Sequence, residues 1–159
     1  MFLKRIYPKE IKDIDGFKVR GRTEDGEFDI AVDDGKIGQR LLLSETDKFI
    51  SGDVSNFTGN HKVGYSTYEK MFDYAKAKGK IYKPDHLIRD NTYRYFVNAM
   101  KYRNKGNSLS NIMMNDEKLM TDKLLAKRLD TIIREFESGE KMRLSDIDVK
   151  AMKKFIGEN

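Results

Sequence analysis

The chain contains no cysteine. Disulfides cannot staple it, and thiolate metal sites and thiol nucleophiles are excluded. Histidine is almost as scarce. His61 and His86 are the only two, and they lack the i, i+4 or clustered spacing of a zinc site, so no metal is expected. No stretch approaches the roughly 20 apolar residues needed to cross a bilayer. The opening Met1-Phe2-Leu3-Lys4-Arg5-Ile6 is too short and too charged for a secretory signal. Internal repeats and low-complexity tracts are also absent. Together these absences lead us to expect a soluble, cytoplasmic protein with no membrane partner.

What is present is charge. The 159 residues suit a single domain, with a hydrophobic fraction of 38% and a charged fraction of 36%. Residues 1–60 carry 10 Lys/Arg against 12 Asp/Glu, residues 61–105 carry 11 against 4, and residues 106–159 carry 10 against 10. All the excess positive charge therefore lies in segment 61–105. A localised basic field attracts nucleic acid, CoA or an acidic protein face; lysines that only aid solubility give the same count.

The early segments read as strands. Phe17-Lys18-Val19-Arg20 alternates apolar and basic residues, and residues 27–32 form a second run ending at Asp33-Asp34-Gly35, a hairpin signal. Residues 36–43 end in three leucines and are expected to form a central, buried strand, with residues 49–54 as a fourth. The period then changes. Tyr68, Met71, Phe72 and Ala75 predict a helix over 67–78 stopped by Gly79, and a short strand over 80–83 runs into Pro84. Tyr93, Phe96, Val97 and Met100 predict a helix over 89–103, broken at Lys105-Gly106. Leu125, Leu129, Ile132, Ile133 and Phe136 mark a third helix ending at Ser138-Gly139. Ser145 is placed to N-cap a fourth, with Val149, Met152 and Ile156 facing inward.

Strand, turn, helix, strand, helix after a β-meander is the order of the GNAT (N-acetyltransferase) core. The run Tyr68-Glu69-Lys70-Met71-Phe72-Asp73-Tyr74-Ala75-Lys76-Ala77-Lys78-Gly79 closely resembles that family's helix after the acetyl-CoA loop, where Y-E-x-x-x-x-Y-A-K-x-x-G is common. Ile30-Ala31-Val32-Asp33-Asp34-Gly35-Lys36-Ile37-Gly38 resembles its hairpin, and Arg89-Asp90-Asn91 stands where Ser/Asn residues often open the next helix. The resemblance covers about half of the chain. It implies an α+β fold, a GNAT-like antiparallel meander followed by helix-strand-helix over residues 1–106, with a helical pair over 107–159 added on the core. The loop departs from the family. Where Q/R-x-x-G-x-G/A is usual, this chain has Gly59-Asn60-His61-Lys62-Val63-Gly64 and keeps only the last small residue.

The resemblance also implies acetyl-CoA as cofactor, an amine as acceptor, and acyl transfer to that amine as the reaction. Its cofactor contacts would fall on Val54, Asn60, His61, Lys62, Val63, Gly64, Tyr65 and Asn91. The base that deprotonates the amine would be Asp53, with Glu45 and Asp47 in the preceding turn as other carboxylates. The tyrosine that protonates the departing thiolate would fall near Asn98, flanked by Tyr95 and Tyr102; Tyr95 is the candidate in the site. Asp53 as a plain surface carboxylate is the competing reading. A non-catalytic GNAT-like module, binding a host or partner protein or binding nucleic acid through 61–105, is the alternative function. Reduced domains of this kind suggest a phage or mobile-element setting. Tyrosines interleaved with lysines suit single-stranded nucleic acid, while their helical spacing suits a core, and Met113, Met114 and Met120 are expected to fill gaps in packing.

Overall fold

The computed structural model describes residues 5–6, 12–14, 17–23, 28–31, 39–56, 61–84, 93–115, 118–140 and 143–159. Side chains are described from residue 45 onward except at 52–56, 61–67 and 115. The architecture is α+β. In the first sheet, β3 (Phe17–Thr23) pairs antiparallel with β1 (Arg5–Ile6), β2 (Lys12–Ile14) and β4 (Phe28–Ala31). The runs expected near 17–20 and 27–32 are thus strands. β1 and β2 are too short, at two and three residues, to carry a period in sequence.

β5 (Gln39–Glu45) and β6 (Phe49–Asn56) form an antiparallel hairpin, with Glu45 opposite Ile50 and Gln39 opposite Asn56. Thr46 closes its turn: its backbone N–H donates to the Phe49 carbonyl at 2.8 Å and its hydroxyl accepts from the Phe49 N–H at 3.1 Å. β7 (Ile81–Pro84) pairs with β6 in parallel, giving the order β5-β6-β7. Among the described residues β6 is the middle strand of this sheet, and the leucine-rich β5 lies against both β6 and β4. The Asp33-Asp34-Gly35 turn lies outside the described residues.

That crossover is α1 (His61–Ala77), whose Met71, Phe72 and Ala75 are buried. At its end the Gly79 N–H donates to the Lys76 carbonyl at 3.1 Å and the Lys80 N–H to the Ala75 carbonyl at 2.9 Å. Gly79 sits at φ 65°, the left-handed backbone that lets both bonds form without a Cβ clash.

α2 (Tyr93–Asn104) follows β7. A small hairpin of β8 (Met113–Asn115) and β9 (Lys118–Leu119) comes next, then α3 (Asp122–Glu137) and α4 (Asp146–Glu158). Tyr82 of β7 forms a parallel bridge with Ile112, so the segment after α2 returns beside β7. α2 is buried on more than one face, since Tyr93, Tyr95, Phe96, Val97, Asn98, Ala99, Met100 and Tyr102 are all shielded from water. It packs against α1, α3 and α4. One cluster of buried side chains therefore runs from Ile50 to Phe155 and includes Leu125, Leu129, Ile132, Ile133 and Met152. The C-terminal pair packs on the core and completes it. Met113 and Met120 are buried, as gap-filling requires. Among the described residues, no helix is long and apolar enough to cross a membrane.

Candidate functional site

The β6–α1–β7 unit places the candidate site. Among the described residues, parallel pairing runs from Phe49↔Ile81 to Gly52↔Pro84. Pro84 has no N–H to donate, so it is a natural end to a ladder. β6 continues for four more residues, Asp53 to Asn56, still paired with β5 on its other side at Leu42, Leu41, Arg40 and Gln39. Among the described residues nothing pairs with the β7-facing edge of that extension. The carboxyl end of β6 thus extends past its parallel neighbour among the described residues, and α1 begins five residues after β6 ends. In open α/β arrangements, ligands bind in this kind of crevice beyond the carboxyl ends of parallel strands.

The start of α1 differs from expectation. The helix begins at His61, so His61, Lys62, Val63, Gly64 and Tyr65 open it instead of forming a loop ahead of it. The apolar period is silent there because Gly, Val, Ser and Thr in 61–67 are poor helix formers. The N–H groups of the first turn have no intrahelical partners, and the helix dipole leaves partial positive charge at that end. The first turn holds no acidic residue, and it contains Lys62. The first turns of α3 and α4 are capped by the chain itself. Thr121 and Ser145 accept from Leu124 N–H and Asp148 N–H, and Asp122, Asp146 and Asp148 sit in the first turns.

The expected site residues separate into three groups. Asp53 and Val54 lie on the extension of β6 that has no β7-side partner among the described residues, Asp53 being its first residue beyond the last described parallel pair. His61 to Tyr65 lie at the N-terminal end of α1, toward which β6 runs. Asn60 and Asn91 lie outside the described residues.

Glu45 is at the other end of the sheet. It pairs with Ile50, six residues before the end of β6, which is roughly 20 Å by strand rise. Its carboxylate accepts from Lys80 Nζ at 2.8 Å and from the Tyr74 hydroxyl at 3.4 Å, fastening the β5–β6 turn to the start of β7. Asp53 stands three residues along β6 from Ile50, about 10 Å by strand rise, while Glu45 is held by Lys80 and by Tyr74 near the far end of α1 from His61. Asp47 lies in that same turn, between β5 and β6.

Tyr95 is inside the core. It is 1% exposed, and its hydroxyl donates to the Met113 carbonyl at 2.9 Å. Burial, reinforced by Tyr68, pushes this hydroxyl well above the usual tyrosine range. The side chain stacks edge-on with Phe72 and Phe96 and ties α2 to β8. Tyr95 was suggested by its place in sequence beside Asn98, and that place is inside the core. Asn98 is also buried, at 5% exposed.

One polar cluster was not foreseen. Glu69 and Asp73, one turn apart on α1, face the end of α2, where Lys105 pairs with Glu69. Burial and then Glu69 raise the Asp73 carboxyl above its ordinary value, with Lys76 and Lys105 opposing. Burial and then Asp73 push the Tyr102 hydroxyl up to about 12. The signal in sequence was two acids at i, i+4 inside a basic segment. Glu69 and Asp73 lie in the middle and second half of α1, about two and three turns on from His61, beside the C-terminal end of α2. They join the two helices.

The basic segment is similarly tied into the fold. Lys80 pairs with Glu45 at 2.8 Å, Lys101 with Asp148 at 3.1 Å and Arg103 with Asp122 at 3.2 Å. Lys76 donates to Asn107 at 2.9 Å, Lys78 lies over the Tyr74 ring, and Lys83 lies over the Phe49 ring. Tyr74, Tyr82, Tyr93, Tyr95 and Tyr102 are buried. The segment's cations point to several elements, and these tyrosines are not available as a stacking platform. Comparison of the chain with protein-family models, curated proteins and solved structures finds no match.

Proposed function

We propose that the protein is an acyl-CoA-binding domain of GNAT-like design that transfers an acyl group to an amine. The observation that carries this reading is the extension of β6. Four consecutive residues, Asp53 to Asn56, have no partner on their β7-facing edge among the described residues, and a helix N-terminus follows five residues later. A backbone edge needs partners for its N–H and C=O groups. The extended arm of CoA carries two amides and can add to such an edge as a strand does. Its pyrophosphate suits orphan helix N–H groups, and the first turn of α1, free of acids, does not compete for them.

Bound there, the acyl thioester would supply the activated carbonyl. The chain's own contribution is to hold it and to accept a proton from the amine. Asp53, the first position of β6 beyond the last described parallel pair, is the proposed base. Neither Glu45 nor Tyr95 takes part in this proposal, because each is committed elsewhere. The same commitment of lysines and burial of tyrosines weighs against nucleic acid as the ligand of segment 61–105.

Asp53→Asn tests the assignment. The variant should bind acetyl-CoA with nearly unchanged affinity by calorimetry, yet transfer acyl groups to amines at least tenfold more slowly at neutral pH, since a positioned base contributes roughly 100-fold or more. Unchanged turnover would remove Asp53 from the chemistry, and loss of binding would make it a structural residue of the crevice.

A further inference from the structure

We draw no further inference here: the strongest candidate, the open cleft of about 530 Å³ between the C-terminal end of α2 and the N-terminal end of α3, has its polar walls joined to one another by Arg103–Asp122 and Ser108–Ser110 contacts, and nothing in the structure shows what would cover its apolar floor of Leu109 and Met120.

Discussion

The Tyr95 hydroxyl spends its proton on a carbonyl in the core, so its removal is a question of stability. Tyr95→Phe leaves the Met113 carbonyl without that donor in a buried place. A cost of about 1–3 kcal/mol in chemical denaturation is expected, with acetyl-CoA affinity unchanged; a selective loss of turnover without loss of stability would return Tyr95 to the site. Tyr102 gives a pH signature. Its folded-state hydroxyl titrates near 12 against an ordinary 10, so it is neutral in both states below pH 10. Between 10 and 12 the unfolded chain gives up its proton first, and stability falls as pH rises. Tyr102→Phe should flatten that alkaline loss, seen as a smaller drop in melting temperature from pH 9 to pH 11 than in the parent. Sequence showed that both tyrosines lie at helical spacing. It could not show that each hydroxyl would be shut in, because this depends on β8 reaching Tyr95 and on Asp73 of α1 facing Tyr102.

Helix ends were legible wherever a local rule fixes them. Gly79, Gly106 and Gly139 all take positive φ where a helix was expected to stop, and Ser145 caps α4 with its side chain accepting from Asp148 N–H. The start of α1 was not legible, because its opening residues bring neither apolar period nor helix propensity. Its placement depends on the span between β6 and β7 that the helix has to bridge. The cap of α3 provides a quantitative check. Thr121 accepts from the Leu124 N–H at 3.1 Å, beside Asp122 in the first turn. Thr121→Ala should cost about 1 kcal/mol in denaturant unfolding, while Thr121→Ser should restore most of it. No cost from the alanine variant would mean that Asp122, paired with Arg103, holds that end alone.

Over the whole molecule, the α+β class and the packing of the C-terminal helices on the core could be read from the sequence, since stripes such as Leu125-Leu129-Ile132-Ile133 need a partner and α2 provides one. The charge was misleading. An excess of seven positive charges in 61–105 suggested one field, but Lys101, Arg103 and Lys105 near the end of α2 turn to carboxylates on α4, α3 and α1 respectively. Each such surface pair contributes at most about 1 kcal/mol. Their larger effect is to divide the basic charge among helix contacts, which a count along the chain cannot reveal. The strand crevice was hidden for a related reason: it consists of backbone that has no β7-side partner among the described residues, which no residue pattern marks.

The most direct test of that crevice is the melting temperature of the intact protein as acetyl-CoA is added. A ligand specific for the folded state stabilises it by mass action, so at a hundredfold excess over Kd the midpoint should rise by roughly 5–10 °C for a chain of this size. The rise should continue with the logarithm of ligand concentration, and CoA should reproduce most of it. An unchanged midpoint at millimolar acetyl-CoA, with no heat on calorimetric titration, would contradict acyl-CoA binding and the function proposed from it.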